Sequence, residues 1–198
     1  VDIMDYGQAL LFDPQQAQRV RGCGIVMMDS ATDVIPTVLR YLGKDPNSTA
    51  ADDLRAVERT LLAIRPYIRA FASGGVIEQL ASGQACVAFG YSGDVIQAAV
   101  RAAETGRGVK VEYVAGREGA QLWHDMLAIP ADAPNADNAH AFINFLLRPD
   151  VMAEISNKTQ YPNAVPASWP LIRPEVRNNP SIFPDEAARA RFFTVGPV

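Results

Sequence analysis

The fold is decided by residues 24–33, which read GIVMMDSATD. The first half of this stretch is a short apolar run after a glycine, and it predicts a strand that is buried on both faces. The second half offers several N-cap oxygens, and Val34, Val38 and Leu39 follow it with the spacing of one helix face. A buried strand that turns at once into a helix is typical of an α/β sheet.

The same alternation of strands and helices continues along the chain. Further strands are predicted at 68–71, 86–90, 109–114 and 122–129. Further helices are predicted from about 50 to 66, over 76–80 and from Asp94 to Gly106. A later helix is predicted to turn one apolar face inward, formed by Ala139, Phe142, Ile143, Leu146 and Leu147. The pattern as a whole predicts a doubly wound, mostly parallel sheet.

Composition and charge exclude several classes of protein. The chain has 198 residues and a net charge of −4, and a protein that binds nucleic acid needs a basic face. No run of 18 apolar residues is present, so no transmembrane helix is expected. Residues 1–5 lack the basic and apolar regions of a signal peptide. For an exported protein, we expect such a segment to have been removed or to lie outside this sequence.

The two cysteines, Cys23 and Cys86, leave two interpretations open. They do not form a C-x-x-C pair, and with two histidines in the chain there is no zinc-ligand spacing, so no metal site is expected. They are either two buried free thiols or one disulfide in an oxidising compartment. A disulfide across a loop of this length stabilises a fold by about 4 kcal/mol on the chain-entropy model.

A serine hydrolase is the strongest enzymatic alternative. Ser92 lies between a predicted strand and a predicted helix, and Asp125 and His140 follow in the order of an α/β-hydrolase triad. The nucleophile elbow of that class has glycine two residues on either side of the serine. Gly90 fits this pattern, but Asp94 does not, and its carboxylate disfavours the oxyanion that a hydrolase must stabilise. The sequence therefore favours a binding protein over an enzyme.

Acids and aromatic residues follow the predicted strands. Ligands of open α/β sheets bind at the carboxyl ends of strands, and carboxylates with rings between them suit an ammonium ligand. The alternative, purely structural roles are helix caps for Asp33 and Asp94 and a core position for Trp123. The candidate ligand-binding residues are Asp33, Tyr91, Asp94, Trp123 and Asp125, the last two alternating along one predicted strand, and Tyr161 in a loop.

Several segments resemble the periplasmic putrescine/spermidine-binding proteins of bacterial ABC importers, across nearly all of residues 8–195. The most specific segments are YLGKDPNS at 41–48 and LLRPDV at 146–151, with further similarity at 22–25, 86–94, 129–133 and 174–177. The resemblance implies the type II fold of periplasmic binding proteins, represented by its second lobe and part of its first. It implies a second-lobe core at 8–118, a returning first-lobe segment at 119–158 and a tail at 159–198 that returns to the second lobe.

The resemblance also assigns roles to the candidate residues. Asp33 stands where the family has a glutamate that receives an amine, Tyr91 where many members have tryptophan, and Asp94 matches a ligand-binding aspartate. The other three candidates match an aromatic residue, the acid two residues after it and a hinge-proximal aromatic, and these are Trp123, Asp125 and Tyr161. Cys23 and Cys86 match a disulfide pair.

The function implied by the resemblance is capture of a polyamine in the periplasm, without chemistry on the ligand and without a cofactor. The implied partners are the membrane permease of an ABC importer and either the first lobe, which family members carry before the point where this sequence starts, or a second copy of the chain. A receptor for another cationic solute or an iron complex is the alternative within binding proteins.

Overall fold

The computed structural model describes residues 6–72 and 74–196. The chain divides into two compact units. We call Val1–Leu122 together with Asp185–Val198 the sheet unit, and Trp123–Pro184 the helical unit. The predicted lobe boundaries after 118 and 158 refer to a larger receptor and stay a prediction.

Three parallel strands form the sheet of the sheet unit, in the order β2-β1-β3. They are β1 Ile25–Met27, β2 Ile68–Phe71 and β3 Val87–Ala88. Ile25 of the central strand lies opposite Ile68 on one side and Val87 on the other. All three residues of β1 are fully buried, as expected for an apolar strand covered on both faces. The strands predicted here are confirmed, although β3 is shorter than 86–90.

Helices flank the sheet and also form part of the helical unit. Those with both ends described are α1 Ala9–Phe12, α2 Pro14–Ala17, α3 Ala31–Tyr41, α4 Ala51–Ile64, α5 Val76–Ala81, α6 Ser92–Thr105, α7 Ala136–Leu146, α8 Pro149–Thr159, α9 Pro174–Arg177 and α10 Glu186–Arg189. Short 3₁₀ turns add Gln18–Val20, Arg65–Tyr67 and Pro166–Leu171.

The two faces of β1 contribute to two separate hydrophobic clusters. Ile25 and Met27 pack with residues of α3 and α4, whereas Val26 packs with residues of α5 and α6. Successive side chains of a strand point to opposite faces, so the clusters lie on opposite sides of the sheet. The doubly wound arrangement predicted from the sequence is confirmed.

A disulfide joins the amino-terminal ends of two neighbouring strands. Cys23 lies two residues before β1 and Cys86 directly before β3, and their Cα atoms are 5.6 Å apart. The bond spans 63 residues, and the segment between the two cysteines contains β1, α3, α4, β2 and α5. The disulfide implied by the resemblance is therefore confirmed.

The segment YLGKDPNS at 41–48 ends α3 and forms a turn after it. Lys44 Nζ and Ser48 Oγ both donate to the carboxylate of Asp53, at 2.5 and 2.6 Å. The hydrogen bond from Lys44 is the main reason that the pKa of Asp53 lies below its ordinary value. Asn47 donates to the Thr194 carbonyl and accepts from the Gly196 amide, so the turn also holds the carboxyl-terminal segment. This run therefore stabilises the fold through hydrogen bonds to α4 and to the carboxyl-terminal segment.

Two predicted strands are wrong. Within the described residues, neither 109–114 nor 122–129 forms a strand, and only Gln121 makes an isolated bridge, to Phe193. Val111 and Tyr113 pack against the cluster on the α5/α6 side of the sheet. The alternation of these apolar residues with polar ones therefore results from their packing against helices. Such packing gives the same pattern as a strand without any pairing to another strand.

The prediction that one apolar face of α7 is buried is also wrong in part. Its backbone is helical as expected, but the side chains of Phe142 and Leu147 are 57% and 51% exposed. Ala139, Ile143 and Leu146 are half-buried. The apolar pattern predicted the helix correctly, but the described chain does not supply enough packing partners to cover its face.

Candidate functional site

A small recess lies where the three parallel strands end. Met28, Ala72 and Gly90, which line it, follow β1, β2 and β3 respectively. The other lining residues are Ser30, Val76, Tyr91 and Asp94. We call this the strand-end recess. Its volume is about 50 Å³, and a single water needs about 10–15 Å³ of such space. It therefore has room for a small group, at the edge of the sheet where α/β proteins bind ligands.

Each of the two candidate carboxylates in the sheet unit lies at the start of a helix. Asp33 lies in the first turn of α3, and Asp94 lies in the first turn of α6. Unsatisfied amide groups and the helix dipole stabilise a negative charge at such positions. Asp94 is half-buried and lines the recess, so its charge faces a partly desolvated space.

Asp33 lies behind the recess and is 5% exposed. Its Oδ2 accepts a hydrogen bond from the Tyr91 hydroxyl at 3.3 Å and a second from the Ser30 hydroxyl. Ser30 is the N-cap residue of α3, yet its side chain makes no capping hydrogen bond to the helix backbone. The structure thus groups Asp33, Tyr91 and Asp94, as expected, and adds Ser30.

Ser30 is the residue that the sequence reasoning passed over. Its place three residues before an acid at a helix start is the spacing of a capping box, which predicts a hydrogen bond to the backbone. The hydroxyl instead donates to the acid's side chain. The signal that could have found it is the serine itself, directly after a buried strand at the carboxyl edge of the sheet.

Trp123, Asp125 and Tyr161 lie in the helical unit. Trp123 is 47% exposed, Asp125 is exposed and Tyr161 is half-buried. The expectation that Trp123 and Asp125 alternate on one face of a strand is wrong, because 122–129 has no strand in the described structure. Their role as ligand contacts stays a prediction from the resemblance.

The residues of the hydrolase alternative are divided between the units. Ser92 is the first residue of α6 in the sheet unit, whereas Asp125 and His140 are exposed residues of the helical unit. Over the described residues, no group of three or more His, Cys, Asp and Glu side chains could hold a metal ion. No described helix is long and apolar enough to cross a membrane.

The chain belongs to the bacterial extracellular solute-binding protein family. The model of that family matches residues 2–184. This match agrees with the fold, in which helices cover both faces of a parallel sheet and a recess opens at its carboxyl edge.

Within this family the chain is similar to polyamine-binding proteins. It is 47% identical over 187 residues to the putrescine-binding periplasmic protein PotF of Escherichia coli strain K12, covering 94% of this chain and 50% of that protein. It is 43% identical over 185 residues to the putrescine-binding periplasmic protein SpuD of Pseudomonas aeruginosa, covering 93% of this chain and 50% of that protein. The chain therefore spans about half the length of the curated relatives it matches.

A solved structure shows the same fold. A putative spermidine/putrescine ABC transporter protein from Listeria monocytogenes superposes with a TM-score of 0.81 at 27% identity. The match covers 96% of this chain and 55% of that one. The resemblance to putrescine/spermidine-binding proteins and the α/β type II fold, both inferred from the sequence, are confirmed.

Proposed function

We propose that this chain supplies the polyamine-binding surface of a periplasmic solute receptor that delivers its ligand to the permease of an ABC importer. The observation that carries the proposal is the strand-end recess, which the Asp94 carboxylate and the Tyr91 side chain both line. The relatives named putrescine-binding support the ligand class.

Asp94 is the anionic partner of the ligand in this proposal. An ammonium group that leaves water loses much solvation, and a carboxylate held at a helix start recovers it through a charge-assisted hydrogen bond. The Tyr91 ring, which is 42% exposed, offers its face to the methylenes or to the cation. Trp123, Asp125 and Tyr161 are proposed as further ligand contacts on the strength of the resemblance alone.

Calorimetry tests the ligand class. The chain is titrated with putrescine, spermidine and spermine, and with 1,4-butanediol as an uncharged ligand of matched length. We expect heat of binding from at least one polyamine and none from the diol. Equal heats from putrescine and the diol, or none from any polyamine, would count against the proposal.

Completion of the binding surface is a separate part of the proposal. The relatives are about twice as long as the matched region, and we propose that a first lobe or a second copy of this chain completes the receptor. Fusion of the amino-terminal half of the Escherichia coli relative should raise the affinity for putrescine. An unchanged affinity would contradict this part alone.

The chain is proposed to capture its ligand without chemistry on it. Ser92→Ala should therefore leave polyamine binding almost intact, and the parent should hydrolyse a p-nitrophenyl ester no faster than this variant. Ester hydrolysis that disappears in Ser92→Ala would favour the hydrolase instead.

A further inference from the structure

An apolar groove opens on the sheet unit between α3, α4 and β2, and we call it the α4 groove. Its volume is about 450 Å³. Three large apolar side chains that line it are exposed, namely Leu54, Leu62 and Phe71 at 41%, 64% and 49%. Among the described residues, none lines both this groove and the strand-end recess. An exposed apolar surface that is separate from the recess marks a second contact site.

The face of α4 along this groove is self-complementary in charge. Residues 58, 61, 62 and 65 are Glu, Leu, Leu and Arg, and all four line the groove. Their spacing of i, i+3, i+4 and i+7 puts them on one face of a helix. Arg65 is the C-cap of α4 and has helical backbone angles, so it continues this face. A rotation by 180° about the midpoint between Leu61 and Leu62 exchanges the two leucines and places Glu58 on Arg65.

Glu58 and Arg65 are both exposed, and no ion pair among the described residues includes either of them. Seven residues of helix separate them by about 10.5 Å along the axis, which is too far for a direct ion pair. The Arg65 guanidinium carbon lies 5.4 Å from the centre of the Phe71 ring. A guanidinium stacked on a ring keeps its in-plane N–H donors for a carboxylate. The two charges are therefore placed for partners on another molecule.

We infer that the α4 groove is the contact surface of a homodimer, in which a second copy of this chain packs its α4 antiparallel to the first about a two-fold axis. Leu61 and Leu62 meet at the axis, and Glu58 of each copy pairs with Arg65 of the other. A two-fold interface uses the same patch on both subunits, so a self-complementary face needs no other partner. The inference does not depend on the proposed function.

The size of the face sets the expected strength of the dimer. A standard interface buries about 800 Å² on each partner, and two helical turns offer less, so we expect a dissociation constant on the order of 10 to 100 µM. Sedimentation equilibrium of the ligand-free chain, from about 5 to 500 µM, should show monomers and dimers in exchange. Association should weaken between about 50 and 500 mM salt, because exposed ion pairs are screened. A chain that is monomeric over the whole range would overturn the inference.

Charge reversal tests which residues meet across the axis. Glu58→Arg and Arg65→Glu each bring like charges together at both ends of the contact, so each variant alone should dimerise about 10-fold more weakly than the parent. An equimolar mixture of the two variants should recover association like that of the parent, because every contact between the two different variants then joins opposite charges. This recovery also shows that both variants fold.

Arg59→Glu is the matched control for Arg65→Glu. It makes the same change in charge on α4, at a residue that does not line the groove. It should change the dissociation constant by less than about 2-fold. Single groove variants that dimerise as tightly as the parent, or a mixture that does not recover, would contradict the inference.

The apolar centre of the face gives a test that does not rely on the ion pairs. Leu62→Asp puts two carboxylates beside the axis and should raise the dissociation constant about 100-fold or more. The melting temperature of the dilute monomer should hardly change, because Leu62 is 64% exposed. Val100→Asp, at a 47% exposed position of α6, is the control and should leave the dimer intact.

Other occupants of the groove, and other contact surfaces, give different results. Equal dimerisation of the parent and Leu62→Asp would show that another face, such as that of α7, joins the copies, and the inference would be wrong. Native mass spectrometry of the purified chain should show the dimer without an added mass. A monomer that carries an amphiphilic molecule, and loses it in Leu62→Asp, would assign the groove to a ligand and overturn the inference.

Discussion

Asp33 and Asp94 occupy the same position in two different helices. Each is the third residue of a helix that begins shortly after a parallel strand, with Ser30 and Tyr91 as the respective N-caps. The two N-cap side chains meet at Asp33, while Asp94 lines the recess. Two equivalent acids thus have unequal surroundings: one is buried and accepts from two hydroxyl groups, and the other lines the recess.

Asp94→Asn should weaken polyamine binding without unfolding the chain. The change keeps the shape of the side chain and removes its charge, so we expect a loss of about 2–5 kcal/mol in affinity, as for one member of a buried charged pair. Calorimetry with spermidine and putrescine measures it. Asp52→Asn is the matched control, since Asp52 also lies in the first turn of a helix but pairs with Arg55 on the surface. Equal affinities of the parent and Asp94→Asn for both polyamines would contradict the proposed ammonium site in the recess.

Removal of the disulfide should destabilise the sheet unit. Cys23→Ala/Cys86→Ala removes a bond that spans 63 residues, and the chain-entropy model predicts a loss of about 4 kcal/mol. Urea unfolding of the variant and of the unreduced parent measures the difference. Thiol titration of the denatured, unreduced parent should find no free thiol, and two reactive thiols would contradict the bond itself.

The turn at 41–48 should make stability depend on pH in the acid range. The hydrogen bonds from Lys44 and Ser48 lower the pKa of Asp53 in the folded state. A carboxylate with a lowered folded pKa stabilises the fold above its unfolded pKa, about 3.9, and this stabilisation is lost as the pH falls through the folded pKa. Asp53→Asn should therefore be less stable than the parent at pH 6, and the gap should close toward pH 2. A gap in melting temperature that does not change with pH would contradict this account.

The exposed face of α7 should bind a hydrophobic dye. Phe142 and Phe145 are 57% and 50% exposed, and a contiguous apolar patch of this kind marks a surface that another element covers. Phe142→Ser/Phe145→Ser should lower the fluorescence of bound anilinonaphthalene sulfonate while leaving the melting temperature nearly unchanged. Val100→Ser, which replaces a single exposed residue of α6, is the control and should change the fluorescence little. An equal decrease in both variants would argue against a patch on α7.

Sequence reasoning was most successful where local and tertiary signals agree. The apolar run at 25–27 must be buried, and the polar residues after it are followed by apolar residues with the spacing of a helix face, so β1 and α3 were predictable. The same logic placed Asp33 and Asp94 at helix starts on one edge of the sheet. The alternating pattern at 109–114 failed because Val111 and Tyr113 find their burial against helices, and period-two alternation does not distinguish that packing from strand pairing.

Parts of the site depend on contacts that no local pattern encodes. The hydrogen bond between Tyr91 and Asp33 joins residues 58 positions apart, and it arises because β1 and β3 are neighbours. The Ser30 hydroxyl lies within hydrogen-bonding distance of both Thr32 and Asp33 in its own turn. Only the position of Tyr91 in the folded chain shows that Asp33 accepts from a second hydroxyl group as well. The order of the strands therefore had to be known before this hydrogen bond could be predicted.

The disulfide links the maturation of the chain to its compartment. A chain that still carries two reduced thiols lacks the covalent closure between the starts of β1 and β3, and its unfolded ensemble is correspondingly larger. For a chain that reaches the periplasm, as proposed, the sheet gains this closure only after translocation. A reduced chain is therefore easier to unfold than the oxidised chain, and the full stability of the sheet is reached only when the two thiols are oxidised.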